Sequence, residues 1–119
     1  MNKNKANFWK IKINDRKSNI NCSSLVGYVE ATYDELVEVL GEPETDFDKS
    51  TAHWSLEAPD GTIATIYDYK TYMTPVGKYA WHVGGHNDRA LLLVEFMLSK
   101  PVVSHETYAW NPYGGGNDQ

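Results

Sequence analysis

The stretch that decides the fold is Tyr79-Ala80-Trp81-His82-Val83-Gly84-Gly85-His86-Asn87-Asp88. Its first five residues predict a short β-strand, and the glycine pair leads into a helix that begins near Asp88. The first N–H groups of a helix have no partner within it and carry partial positive charge, so this junction suits a phosphate or a carboxylate. The two glycines would let the backbone approach such a ligand, although a tight turn with two structural histidines explains the same residues.

The helix after this stretch is predicted to run from about residue 88 to 99. Pro101 follows its end, where a helix cannot continue. Its apolar residues form one wide stripe that is typical of a core face. They are Ala90, Leu91, Leu93, Val94, Met97 and Leu98.

An earlier helix is marked at both ends. Thr32 and Glu35 form a capping box, in which each side chain bonds the other's backbone N–H. An apolar face made of Leu36, Val37, Val39 and Leu40 follows. Gly41 and Pro43 then end the helix after about two turns.

The strand predictions centre on a hairpin, residues 53–57 and 62–69 joined by Ala58-Pro59-Asp60-Gly61. In its second strand, Ile63, Thr65, Tyr67 and Tyr69 share one face, and Ala64, Ile66 and Asp68 share the other. Asp68 is hard to explain as packing. Further strands are predicted at residues 8–13 and 24–29, and residues 102–110 fit either a last strand or a partner-binding arm.

These elements predict one α+β domain spanning residues 1–119. We expect a small antiparallel sheet with two helices on one face, a core at about residues 25–100, and flexible segments at residues 1–7 and 111–119. The chain of 119 residues has the size of a single domain.

The amino-acid composition disfavours several classes of function. The net charge of −5 disfavours binding to duplex nucleic acid, which needs a basic face. Cys22 is the single cysteine, so one chain forms neither a disulfide framework nor a thiolate zinc cluster, and we expect a cytoplasmic protein. We also expect no signal peptide and no membrane span, because no apolar run approaches about 20 residues.

Metal binding and catalysis find little support in the motifs. His82 and His86 are four residues apart, but the glycine pair between them disfavours a helical zinc face, and we expect no metal and no cofactor. A small hydrolase that pairs Asp68 with His82 or His86 stays conceivable. There is, however, no Gly-x-Ser-x-Gly elbow, Walker loop or Gly-x-Gly-x-x-Gly motif.

A nucleotide pocket needs aromatic faces, phosphate donors and a few cations. The candidate stacking surfaces are Trp54, Tyr67, Tyr69 and Trp81. The candidate cations are Lys49, Lys70 and Arg89. His82, His86 and Asn87 are candidate partners of a phosphate or ribose. Each of these residues alone is more often structural, and Trp54 and Trp81 in particular fit a core better than a ligand contact.

Four blocks resemble a family of small phage proteins: TYDELV at 32–37 with LGEP at 40–43, KSTAHW at 49–54, GTIATIYDYK at 61–70, and WHVGGH at 81–86. The family is that of nucleotide sponges of the anti-CBASS and anti-Thoeris type. The resemblance covers about residues 25–98. The loop at residues 71–78 is short for this pattern, and residues 1–24 and 99–119 lie outside the blocks.

The resemblance implies a viral immune-evasion protein of the host cytoplasm. It would bind a cyclic nucleotide messenger, such as 3′3′-cGAMP or a glycocyclic ADP-ribose, without cleaving it, and would form a homo-oligomer with pockets near subunit contacts. The block positions implied for the pocket are Tyr67, Asp68, Lys70, Trp81, His82, Gly84, Gly85, His86 and Asn87. The alternatives are a protein-binding inhibitor of a host defence enzyme and the hydrolase based on Asp68 and His82.

Overall fold

Six strands form one antiparallel sheet in the computed structural model, in the order β1-β3-β4-β5-β2-β6. The strands are β1 (Lys12–Ile13), β2 (Ser24–Ala31), β3 (His53–Glu57), β4 (Ile63–Tyr67), β5 (Tyr79–Gly85) and β6 (Val102–Ser104). The helices are α1 (Lys3–Trp9), α2 (Tyr33–Leu40) and α3 (Arg89–Leu98). The structure describes residues 3–15, 17–20, 23–45, 47 and 49–106. The predicted single-domain α+β fold is confirmed.

The sheet has one face packed against helices and one face that carries no helix among the described residues. Trp54 of β3 pairs in register with Ile66 of β4, and Ile66 pairs with Val83 of β5. All three side chains are buried, as is Trp81 on the same face. Because successive side chains of a strand point to opposite sides, their neighbours in sequence lie on the other face.

Two tryptophans anchor the core beneath α2 and α3. Their rings meet edge to face, with 5.6 Å between the centroids of Trp54 and Trp81. The Trp54 indole N–H donates to the Gly41 carbonyl at the end of α2, and that of Trp81 donates to the Ala31 carbonyl. Buried indoles with satisfied N–H groups are what a stable small core requires.

The capping box that was predicted for the earlier helix is confirmed in α2. The Thr32 hydroxyl accepts from the Glu35 N–H at 3.1 Å, and the Glu35 carboxylate accepts from the Thr32 N–H at 2.8 Å. The hairpin of β3 and β4 is confirmed as well, with its turn closed by a hydrogen bond from the Gly61 N–H to the Ala58 carbonyl. The face assignment of Ile63, Thr65 and Tyr67 against Ala64 and Ile66 follows from the same register.

The amino-terminal region differs from the sequence prediction. Residues 8–13 were expected to form a strand, but α1 continues to Trp9 and only Lys12–Ile13 pairs with β3. The helix end is closed by a hydrogen bond of 2.9 Å from the Ile11 N–H to the Ala6 carbonyl, and both side chains are buried in the core. Burial of this pair outweighs the short alternating pattern.

The glycine pair also differs from the prediction. Both glycines belong to β5, which pairs Gly84 and Gly85 with β4 on one side and β2 on the other. The last strand, β6, ends at Ser104, and the remainder of the predicted strand or arm from residue 107, like the tail at 111–119, lies outside the described residues. Among the residues the structure describes, no helix is long and apolar enough to cross a membrane.

Candidate functional site

A row of aromatic side chains crosses the helix-free face of the sheet. Strand register pairs His53 with Tyr67, Tyr67 with His82, and His82 with Tyr28. The ring centroids are 6.0, 5.3 and 5.2 Å apart along this row. Phe47, from the loop before β3, stacks on His53 with 3.8 Å between centroids and 14° between planes. Such a row presents flat apolar surface to a ligand.

An aromatic cavity of about 320 Å³ opens beside this row. Its walls come from three parts of the chain: the sheet face, the loop before β3, and the segment that leads into β2. The lining residues are Ile20, Ser23, Ser24, Phe47, Lys49, Ser50, His53, Thr65, Tyr67, Tyr69 and Gly84. The volume and the mostly apolar lining surface fall within the range of small-molecule sites.

A second cavity of about 550 Å³ adjoins the first and is more polar. The two share Phe47, Lys49 and Ser50 as lining residues. The second cavity adds Lys70, so two lysines line it. The backbones of the two lysines are joined by a hydrogen bond of 2.8 Å from the Lys70 N–H to the Lys49 carbonyl. We call the first the aromatic cavity and the second the lysine cavity.

Asp68 connects the two loops that line the lysine cavity. Its carboxylate accepts hydrogen bonds from the N–H groups of Thr51 and Ala52, at 2.8 and 3.0 Å, and from the hydroxyls of Thr51 and Thr71. Burial alone raises the pKa of Asp68, but these hydrogen bonds outweigh it and hold the pKa below its usual value. The carboxylate therefore stays charged and joins the two loops that carry Lys49 and Lys70.

Two histidines of the aromatic row are neutral at neutral pH. Burial lowers the pKa of His53 to about 4. Burial also lowers the pKa of His82, against opposing effects of a Tyr67 backbone hydrogen bond and the Asp68 charge. The Nδ1 atoms of both rings are buried and have no hydrogen-bond partner among the described residues. Such nitrogens are rare in native structures and call for an explanation.

The two glycines of β5 serve opposite faces of the sheet. A Cβ at Gly84 would lie 2.6 Å from the Thr65 hydroxyl and would intrude on the aromatic cavity. A Cβ at Gly85 would lie 2.4 Å from the Ala90 Cβ of α3. Gly84 therefore keeps the cavity floor open, whereas Gly85 allows the helix to approach the sheet.

The structure separates the predicted pocket residues into three places. Tyr67, His82 and Gly84 share the helix-free face, and Lys70 borders the adjoining lysine cavity. Trp81, Asp68 and Gly85 are buried, the first in the core and the second in its hydrogen-bond cluster. His86 and Asn87 lie exposed at the start of α3.

The start of α3 is already partly satisfied by its own residues. The Asn87 side chain accepts from the Arg89 N–H at 2.9 Å, and the Asn87 carbonyl accepts from the Ala90 N–H at 3.2 Å. Arg89 lies 3.9 Å from the Asp60 carboxylate. The helix N-terminus therefore offers an anion fewer free donors than its position in the sequence indicated.

Several cavity residues were missed by the sequence reading. Phe47 and Ser50 come from the loop before β3, and His53 is the first residue of β3. Ser24 comes from β2. The alternation of β3 placed His53 opposite Trp54, and this pattern was the available signal. Phe47 carries no comparable local signal.

Comparisons with protein-family models, curated sequences and solved structures find no match to this chain. Within the described part of the chain, no group of three or more His, Cys, Asp or Glu side chains is arranged to hold a metal ion.

Proposed function

We propose that this protein binds a cyclic nucleotide messenger on the helix-free face of its sheet and sequesters it. The base would lie in the aromatic cavity and a phosphate in the lysine cavity. The observation that carries the proposal is that the two cavities adjoin and share Phe47, Lys49 and Ser50. An aromatic surface next to paired cations matches the two chemical parts of a nucleotide.

The electrostatics of the site support an anionic ligand despite the net charge of −5. A negatively charged protein still binds an anion where its cations are concentrated locally. Lys49 and Lys70 border one cavity, and their backbones are hydrogen-bonded to each other. The Asp68 carboxylate stays charged, but its four hydrogen bonds are directed to Thr51, Ala52 and Thr71.

The neutral His53 in the wall of the aromatic cavity supplies recognition of a base edge. An uncharged imidazole offers one donor and one acceptor nitrogen, as the edges of nucleobases do. The unpartnered Nδ1 of His53 belongs to a residue of the aromatic cavity wall.

Sequestration fits the site better than hydrolysis. A hydrolase built on Asp68 and His82 would need the carboxylate to orient the imidazole. The carboxylate instead accepts hydrogen bonds from Thr51, Ala52 and Thr71. The resemblance to phage sponges also favours sequestration, and it would imply a role in viral evasion of nucleotide-signalled immunity in the host cytoplasm.

The test is thermal stability against a panel of cyclic dinucleotides, cyclic trinucleotides and cyclic ADP-ribose isomers. A sponge must compete with a host effector, so we expect a dissociation constant near nanomolar, about −12 kcal/mol. At 100-fold excess over that constant a ligand adds about 2.7 kcal/mol and raises Tm by several degrees. The ligand must be recovered intact, since recovery of product indicates an enzyme, and a panel without any rise rejects the proposal.

A second candidate, a protein-binding inhibitor, is favoured by the loop between β4 and β5. Tyr72, Met73 and Val76 are exposed there, next to the site. Exposed apolar side chains in one loop are typical of contacts with other proteins. This function predicts no rise in Tm with any nucleotide and loss of inhibition of a host defence enzyme in Tyr72→Glu.

A further inference from the structure

A patch of large apolar side chains, here called the outer patch, lies on the outer side of α1 and α3. The exposed fractions are 74% for Phe8, 52% for Trp9, 64% for Leu92 and 40% for Phe96. Trp9 joins the two helices, because its ring centroid lies 5.1 Å from that of Phe8 and 5.8 Å from that of Phe96. Leu92 precedes Phe96 by one turn of α3. Contiguous exposed apolar surface of this kind marks an interaction site.

The charge of the chain is unevenly distributed, and its positive part is the segment that contains Phe8 and Trp9. Residues 1–17 contain six of the eleven lysines and arginines but only one acidic residue, Asp15. Their formal charge is +5, whereas residues 18–119 carry −10. An asymmetry of this kind indicates binding to a membrane or to a nucleic acid. The six cations are Lys3, Lys5, Lys10, Lys12, Arg16 and Lys17.

Two of these lysines lie at the outer patch. The Lys5 ammonium is 4.8 Å from the centroid of the Phe96 ring and donates to the Phe96 carbonyl at 2.7 Å. Lys10 is exposed and directly follows Trp9 at the end of α1. Glu95 is exposed next to Phe96 and opposes these two cations with a single negative charge. Lysines beside exposed aromatic rings are typical of surfaces that insert into an anionic membrane.

The arrangement of the rings favours lipid over nucleic acid. The planes of Phe8 and Trp9 meet at 81°, and those of Trp9 and Phe96 meet at 85°. The bases of a single strand stack on flat ring faces, and rings at right angles do not present such faces in one direction. Leu92 has no ring on which a base could stack, but its apolar side chain suits the boundary between headgroups and acyl chains.

The negative net charge of the whole chain does not prevent this contact. Charges in solution are screened over about 8 Å at physiological ionic strength. The protein extends at least 27 Å in each direction, so acidic groups on its far side act weakly at the outer patch. An anionic membrane likewise attracts basic groups only within about this distance of its surface.

We propose that the outer patch binds the surface of an anionic lipid membrane. Phe8, Trp9 and Leu92 enter the boundary between headgroups and acyl chains. Lys5 and Lys10 contact the lipid phosphates. Since α3 covers the face of the sheet opposite to the aromatic and lysine cavities, both cavities stay open to solvent on the bound protein. Membrane binding uses no residue of either cavity and is independent of the proposed function.

Sedimentation with lipid vesicles tests the binding and its dependence on charge. The full chain should sediment with vesicles of equal parts phosphatidylcholine and phosphatidylglycerol, and about tenfold less with phosphatidylcholine alone. In about 1 M salt, where the screening length is about 3 Å, binding to the mixed vesicles should fall to the level of the neutral ones. Failure to sediment with the mixed vesicles, or equal binding to both kinds, would overturn the proposal.

Substitution of exposed apolar residues tests the outer patch itself. Phe8→Ser combined with Leu92→Ser should lower binding to the mixed vesicles about tenfold, because it removes apolar area without a change in charge. Both side chains are exposed, so the far-UV circular dichroism should stay unchanged. Tyr72→Ser with Val76→Ser is the matched control at exposed residues of the β4–β5 loop and should bind as the wild type does. The reverse order of affinities would place the membrane contact elsewhere and overturn the proposal.

Charge substitutions test the local sign. Lys10→Gln should weaken binding to the mixed vesicles severalfold, whereas Glu95→Gln should strengthen it, because the glutamate repels anionic lipid. Lys70→Gln, at the lysine cavity, makes the same change in net charge as Lys10→Gln and should bind normally. An equal effect of the two lysine substitutions, or weaker binding by Glu95→Gln, contradicts the proposed contact.

Quenching by bromine atoms on the lipid acyl chains tests the insertion of Trp9. Trp54 and Trp81 are buried in the core, and Trp110→Phe is introduced throughout to remove the remaining indole. Fluorescence should be quenched on binding to brominated mixed vesicles, and this quenching should disappear when Trp9→Phe is added. Persistent quenching would overturn the orientation. Binding of polyuridylate that Phe8→Ser with Leu92→Ser abolishes, without vesicle binding by the wild type, would assign the outer patch to single-stranded nucleic acid instead.

Discussion

Gly84 and Thr65 lie opposite each other on β5 and β4, so close that a Cβ at Gly84 would fall 2.6 Å from the Thr65 Oγ1. We therefore expect Gly84→Ala to destabilise the protein by about 1–3 kcal/mol through overpacking. Thr65→Ala removes the clashing oxygen, and the next atoms, the Ser24 carbonyl oxygen at 3.4 Å and Tyr67 Cε1 at 3.5 Å, leave room for a methyl group. Urea unfolding of both single variants and the double variant should show a favourable coupling.

The same pair separates folding from binding. The double variant Thr65→Ala with Gly84→Ala should fold but carry a methyl group on the floor of the aromatic cavity. Its affinity for the messenger that the panel selects should fall at least tenfold by calorimetry. Thr65→Ala alone leaves the floor open and serves as the control. Equal affinities of the double variant and this control would place the ligand elsewhere.

The pH dependence of stability should reveal the buried state of His53. Its pKa is about 4 in the folded protein and about 6.5 in the unfolded chain. Below pH 6.5 His53 takes up a proton in the unfolded chain but stays neutral in the folded protein. The free energy of unfolding therefore has its full value above that pH and falls as the pH drops towards 4. The expected loss is about 3 kcal/mol between pH 7 and pH 4.

His53→Phe is the comparison for this titration, because it keeps a ring between Phe47 and Tyr67 but has no proton to bind. The free energy of unfolding of this variant should depend less on pH between 7 and 4 than that of the wild type. The titration of Asp68 does not overlap with this pH range. Its pKa is depressed, so its contribution to the free energy of unfolding is lost only at lower pH. Parallel pH curves for the two proteins would contradict the burial of a neutral His53.

Local signals in the sequence were sufficient for much of the fold. The capping box of Thr32 and Glu35 and the turn from Ala58 to Gly61 are set by side chains within three residues, so they are readable without knowledge of distant partners. The strand predicted at residues 8–13 was wrong because a short alternation does not exclude a helix. Ala6 of α1 and Ile11, just after the helix, are both buried in the core.

The site was harder to predict because it depends on register between distant strands. Trp81 and His82 are adjacent in sequence and were grouped together, yet strand alternation puts one in the core and the other on the helix-free face. The neighbours of His82 come from residues 28 and 67, and this pairing follows from the placement of β2 beside β5. Phe47 reaches the aromatic row from a loop without regular pattern. The ligand-binding roles themselves stay predictions.

The two lysines should contribute to affinity through charge. Lys49→Gln and Lys70→Gln should each weaken binding of 3′3′-cGAMP, or of the panel's best ligand, by about tenfold, about 1.4 kcal/mol. Each should also reduce the dependence of affinity on ionic strength, because fewer ion pairs are screened by salt. Lys12→Gln, at the far edge of the sheet on β1, makes the same change in net charge and should bind normally. An equal loss in Lys12→Gln would mean that only overall charge matters.

Asp68 should act on binding by positioning the lysines. Asp68→Asn keeps the shape of the side chain but replaces one acceptor oxygen by an NH₂ group. Because each carboxylate oxygen accepts two hydrogen bonds, two of the four lose their acceptor. We expect a loss of about 2–3 kcal/mol in the free energy of unfolding, because hydrogen bonds to a buried charge are removed. Asp60→Asn, an exposed carboxylate near Arg89, is the matched change in charge and should alter stability little. Lower affinity in Asp68→Asn should disappear when Lys49 and Lys70 are already glutamine, because the carboxylate then has no cations to position. A loss of affinity that persists in that background would instead assign Asp68 a direct contact with the ligand.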